Sequence, residues 1–197
     1  MYSTEEEQRL KELHTTLYVV KQLGGRSDFH KIFKTLYFAD RRHLAEYGTD
    51  ILGDSYICME HGPVPSTLYD RFKALHGRKH GVPDMELWTA HFKPTPPHYI
   101  EGIGTVVQDI LSESELKCLN AAIAESQQLS FGQLTELSHD SAWNSTQGNF
   151  PMDPIAIATA GGANDDMLRY IELTQENSSS VLKSTKAIPH ESGRGVS

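Results

Sequence analysis

Cysteine is scarce in this sequence: the 197 residues contain two, Cys58 and Cys118. They form no CxxC pair and no disulfide framework, so a reducing cytoplasm is the expected setting. No apolar run approaches the roughly 18 residues that a membrane span needs. The opening MYSTEEEQRLKEL is acidic and amphipathic, without the basic start and apolar centre of a signal peptide. Basic charge is also in short supply. Eighteen Lys and Arg stand against 26 Asp and Glu, a net charge of −8. That balance argues against a chain-wide electrostatic nucleic-acid or membrane binder, though it leaves room for a local basic patch. Catalytic signatures are missing as well. GxSxG and GxxxxGK[ST] do not occur, and the GIG at Gly102 to Gly104 lacks the third glycine and the helix of a dinucleotide site. Both cysteines lie among hydrophobic residues and read as core rather than as nucleophiles. No residue set asks for an enzyme, a cofactor or a metal.

What is present is a composition typical of a soluble globular domain, 38% hydrophobic and 22% charged. One domain is expected over residues 1–176. The serine-rich stretch 177–197 is expected to be a disordered tail. Helix starts are legible. Ser3-x-x-Glu6 is a capping box, followed by the apolar face Leu10, Leu13, Leu17 and Val20 and stopped by Gly24 and Gly25. A second helix is predicted from Asp28 to Tyr47, capped by Ser27 or Asp28 and closed by Gly48. Tyr56 to Met59 reads as a strand. A short helix follows Ser66, and His76 to Pro83 reads as a loop. Leu87 to Phe92 and Tyr99 to Val107 are candidate strands. Two capping boxes, Ser112/Glu115 and Ser130/Gln133, predict a helix pair over about 113–127 and 131–139. Asp153-Pro154 opens a further short helix that Gly161-Gly162 stops, and Asn164 caps a last one ending near Gln175. The expected fold is mainly α-helical (α+β), a compact helical domain with a small antiparallel β-sheet or hairpin inserted.

MEHGPVPSTLYD, Met59 to Asp70, is the most unusual stretch. Gly62 and Val64 each precede a proline and are biased away from helix, while Pro63 and Pro65 fix their own φ angles. A stiff extended corner ending at a Ser66 cap is the expectation. The helix after it has no acid in its first turn, so its free N–H groups call for an acid from elsewhere. Asp40 reaching it from inside and a partner's acid docking from outside both satisfy that demand. Asp40 shares an apolar helix face with Phe33 and Leu36, so its carboxylate must find donors. A structural carboxylate bonded to backbone N–H groups or a basic side chain is the favoured reading over a general base. Asp40, His43 and His61 could together make a facial metal triad for a hydrolase, but no zinc signature has that spacing. His76 and His80 are four apart, yet Gly77 and Gly81 interrupt any helix that would align them. Trp143, four residues after His139 in SHDSAWN, reads as an anchor pinning a loop rather than as a binding pocket.

Several blocks together resemble a known family. They are LYFADRRHL (Leu36 to Leu44), the G-D-x-Y strand (Gly53 to Tyr56), HGPVPSTLYD (His61 to Asp70), LSESELKCLNAAI (Leu111 to Ile123) and LSFGQLTELSHDSAWN (Leu129 to Asn144). In this order they resemble the Panacea domain, whose members include the SocA-like antitoxins. The resemblance implies a mainly helical fold with a small β element. It implies the antitoxin of a type II-like toxin–antitoxin system, binding and neutralising a protein toxin encoded by an adjacent gene. Two alternatives accompany it: an adaptor delivering that toxin to a protease, and the metal-assisted hydrolase above. No catalytic residue is implied, no membrane partner is expected, and nucleic acid is expected only through the toxin complex. Asp40, Gly62, Pro63 and Tyr69 match motif positions. Asp40, Gly62, Ser66 and Trp143 are expected to be structural. Interfaces favour Tyr, Trp, Met and Arg anchors. The partner-binding candidates are therefore Tyr56, Met59, His61, Pro63, Pro65, Tyr69, Arg71 and Trp88, with the segment 76–100 as a further contributor.

Overall fold

The computed structural model describes residues 4–185, with side chains from 5 to 176. The chain runs α1 (Thr4–Gln22), β1 (Arg26–Asp28), α2 (Phe29–Tyr47), β2 (Tyr56–Met59), β3 (Gly62–Pro65), α3 (Ser66–Leu75), α4 (Met85–His91), β4 (Phe92–Thr95), β5 (Tyr99–Gly102), α5 (Glu113–Gln127), α6 (Phe131–Ser138), α7 (Ser141–Ser145), α8 (Pro154–Ala160) and α9 (Asp165–Thr185). It is mainly helical with a small antiparallel β component, as the sequence predicts.

Helix α2 is the axle of the fold. Asp28 accepts a hydrogen bond from Lys31 N at its start, and Gly48, at φ 75°, ends it in the left-handed conformation. Its buried positions include the continuous run Ile32 to Asp40, followed by His43 and Leu44. A helix whose middle is buried on every side belongs in the centre of a domain, and α1, α5, α6 and α8 surround it. Both predicted capping boxes form: Ser112 opens α5 and Ser130 opens α6. Asp153 caps α8, with Pro154 at its first position. The Ser3 box lies outside the described residues.

Two small antiparallel sheets flank this bundle. One has the order β1-β5-β4, and the other is the β2-β3 hairpin. The expected strand over Leu87 to Phe92 is instead helix α4, with strand β4 beginning only at Phe92. Trp88 and Phe92 lie one helical turn apart and are both buried, their rings stacked 5.2 Å apart. Their common burial follows the helical period, which the short LW cluster hides. The expected strand from Tyr99 ends at Gly102 rather than Val107 because the chain then turns. Ile103 N and Gly104 N both donate to His91 O. A Cβ at Gly104 would come within 2.4 Å of the His91 ring. Asn164 caps α9 through Met167 N, and the helix continues to Thr185, past the expected end near Gln175.

Candidate functional site

The site grows out of the segment between α2 and α3. Asp40 is fully buried on α2. Its Oδ1 accepts from Ile51 N at 2.6 Å and Leu52 N at 3.2 Å, and its Oδ2 accepts from the Tyr56 hydroxyl at 2.6 Å. Burial pushes its pKa up to about 7, the nearby Asp50 adds to the rise, and the three donors oppose it. Asp40 is thus a structural knot that fastens residues 51–56 to the central helix.

It is not what caps α3. That task falls to Asp54, whose two oxygens accept from Thr67 N at 3.1 Å and Leu68 N at 2.9 Å. Ser66 is the first helical residue and makes no side-chain cap. The expected Ser66 cap is therefore corrected, and so are both expected donors of an acid to this turn. An acid twelve residues upstream of Ser66 fills the place, within the G-D-x-Y block.

The hairpin is pinned from several sides. Glu60 and His61 form its two-residue turn, after which Gly62 takes φ 94°. A Cβ at Gly62 would meet Ser138 Oγ at 2.2 Å and Lys34 Cε at 2.9 Å, so only glycine lets the turn lie this close. Trp143 Nε1 donates to Met59 O at 2.9 Å while its ring stacks on His139 at 3.6 Å. These two contacts tie the tryptophan of α7 to the hairpin turn. The far edge of β2 is satisfied by Asn149 N to Cys58 O, Cys58 N to Phe150 O and Met152 N to Tyr56 O.

Between the hairpin, α2, α3, α6 and the Pro97–Tyr99 turn lies a cleft of about 650 Å³. Phe33 and Lys34 of α2, Val64 of the hairpin, Tyr69 of α3, and Phe131 and Leu134 of α6 contribute to its lining. Phe131 is half exposed at the edge of α6, stacked on His30 at 3.8 Å, with the His61 ring edge-on 5.5 Å away. Lys34 is 1% exposed, and its Nζ donates to Pro63 O at 2.7 Å. Burial pulls its pKa down to about 7.

A family model described as antitoxin SocA-like, Panacea domain, matches residues 32–144. The chain belongs to this family. No curated protein and no solved structure matches the chain. The Panacea segment contains the Asp40 knot, the hairpin, Lys34 and all of α6, whereas His30 and Lys31 precede it.

Of the partner-binding residues expected from the sequence, Met59, His61 and Tyr69 line the cleft of this Panacea domain, together with Gly62. The others are drawn inward. Tyr56 is buried against Asp40. Arg71, 4% exposed, is clasped by Glu12 through Nε at 3.1 Å and Nη2 at 3.0 Å, and its guanidinium lies over the Trp88 ring. Trp88 stacks on Phe92 in the core. Pro63 and Pro65 are buried in β3. These five residues hold the fold and present no side chain to a partner. The hydrolase triad does not assemble either. Asp40 is committed to its three donors, His43 bonds Thr49 O and Ser114 Oγ, and His61 turns toward Phe131. Among the described residues no group of three or more His, Cys, Asp or Glu could hold a metal ion, and no helix is long and apolar enough to cross a membrane. Sequence reasoning missed Lys34, Lys31 and Phe131, and reached Arg78 only through the segment 76–100. The only cue to Lys34 was its position inside the apolar run from Ile32 to Leu36.

Proposed function

We propose that this protein is the antitoxin of a two-protein system and neutralises a toxin encoded by a neighbouring gene by binding it directly. The observation that carries this reading is the membership of residues 32–144 in the SocA-like antitoxin family. The local geometry supports it. The carboxylate of Asp40, the motif region's candidate for chemistry, is occupied by structural hydrogen bonds, and so is that of its neighbour in the motif, Asp54. The rigid hairpin and the cleft beside it leave a preformed surface, which lowers the ordering cost of binding a protein. The test is co-expression with the adjacent open reading frame. That frame alone should arrest growth, the pair should grow, and the two proteins should co-purify. A harmless neighbour, or a toxic one that this protein neither binds nor relieves, refutes the reading. Measuring the toxin's half-life with and without this protein separates sequestration, in which it is unchanged or longer, from delivery to a protease, in which it shortens.

A further inference from the structure

The cleft is locally basic in an acidic chain. The protein as a whole has an excess of eight acids. Yet Lys31, Lys34, Lys73 and Arg78 line the cleft against two carboxylates, Asp28 and Glu60. Asp28 is already committed to capping α2, and Glu60 is exposed on the hairpin turn. Lys73 alone of the four cations is paired with a carboxylate, that of Asp70 at 2.6 Å. Lys31 Nζ bonds Gln127 O at 3.4 Å, Lys34 Nζ bonds Pro63 O, and Arg78 Nη2 bonds Pro97 O at 2.7 Å. Among the described residues, no carboxylate makes an ion pair with these three.

A buried cation without a counter-ion is costly, and folded proteins ordinarily neutralise one with a nearby acid. Lys34 has only a neutral carbonyl, although the chain has acids in excess. The lining around it is predominantly apolar and aromatic, the composition of a site that buries a large side chain while a few convergent polar groups set its orientation. From charge complementarity together with this lining we infer that the cleft is where the toxin docks, receiving an acidic segment whose carboxylate faces Lys34, Lys31 and Arg78 and whose large apolar side chain packs among Phe33, Tyr69 and Phe131. The inference rests on the antitoxin reading and specifies its interface. A second copy of this chain is the competing occupant. Its overall negative charge supplies carboxylates too, but the family's protein partner is the better-supported source.

The experiment uses the full-length chain and the product of the neighbouring gene. Phe131→p-benzoylphenylalanine places a photo-crosslinker at the lip of the cleft, and mass spectrometry of the adduct locates the segment it touches. The expected adduct is a toxin peptide containing Asp or Glu beside a large apolar residue. Lys31→Glu with Arg78→Glu should weaken toxin binding by about thirtyfold, the equivalent of roughly 2 kcal/mol for a lost charge pair. Exchanging the acids of the crosslinked segment for Lys should restore it. Arg169→Glu, on α9 and outside the cleft, should change nothing. If the reversed pair fails to fold, Lys31→Gln with Arg78→Gln takes its place, with a smaller loss expected. Toxin binding within twofold of wild type for the reversed pair, or crosslinks confined to a second copy of this chain, overturns the docking site while the antitoxin reading stands. A neighbouring product that the wild-type chain does not bind overturns both.

Discussion

Removing the Asp40 carboxylate should separate its hydrogen-bonding role from its charge. In Asp40→Ala three buried donors lose their acceptor: Ile51 N, Leu52 N and the Tyr56 hydroxyl. An orphaned buried donor costs about 1–3 kcal/mol, so the gross loss is several kcal/mol. Losing a carboxylate that burial disfavours returns part of this, leaving a net destabilisation of about 3 kcal/mol. Asp40→Asn keeps Oδ1 as the acceptor for both backbone N–H groups and reverses only the Tyr56 bond, its amide donating to the phenol oxygen. Its cost at pH 5 should be below about 1 kcal/mol. The pH dependence has a definite sign. Asp40 has a pKa of about 7 in the folded chain, above the roughly 4 of an unfolded aspartate. The folded state therefore keeps a proton that the unfolded state has lost, and wild-type stability falls as pH rises from about 4 to 7. Asparagine does not titrate, so its standing relative to wild type should improve between pH 5 and pH 8, by at most roughly 3 kcal/mol for two units of the window. Urea unfolding followed by far-UV circular dichroism at both pH values measures this. Equal costs for Asn and Ala at both pH values, or a gap between Asn and wild type that ignores pH, would refute the reasoning.

Two further outcomes follow from neighbouring residues. Asp54→Ala should cost about 1 kcal/mol by uncapping α3, whereas Ser66→Ala should leave the urea midpoint nearly unchanged, because Ser66 makes no cap. Lys34→Met should raise the melting temperature at pH 6, where the buried ammonium is charged and most costly. That gain should shrink as pH climbs from about 7 toward 10, because the folded pKa of Lys34 lies near 7 while the unfolded chain stays protonated. A melting temperature lowered at pH 6 would show that the bond to Pro63 O outweighs the charge.

Legibility in the sequence divided along the line between local and distant causes. Asp28 with Lys31, Ser112 with Glu115, and Ser130 with Gln133 make contacts three residues apart, so the starts of α2, α5 and α6 could be read from spacing alone. Asp54 lies thirteen residues from the Thr67 N–H it satisfies, and no spacing rule connects them. By residue type Arg71 reads as a surface anchor, since Arg favours interfaces. Its partner Glu12 is 59 positions away, and that pairing, rather than residue type, decides that it is buried. Trp88 went the same way once α4 replaced the expected strand. Half of the cleft was visible in the motif, through Met59, His61 and Tyr69. The other half comes from Lys31 and Lys34 on α2, from Arg78 and from Phe131, which only the fold brings to the same place.

The register of the hairpin has a consequence for how any partner can take hold of it. Met59 pairs with Gly62 across the turn, and Ile57 with Val64, so the backbone groups of Gly62 and Val64 face β2. Those of residues 63 and 65 face outward, and both are prolines with no N–H to offer. The outward carbonyl of Pro63 is already taken by Lys34, and the opposite edge of β2 is covered by residues 149–152. Neither edge is open to an added strand. Recognition at this hairpin has to be written in side chains, so two partners of unrelated fold could use it equally well, provided each presents the same few groups at the same place.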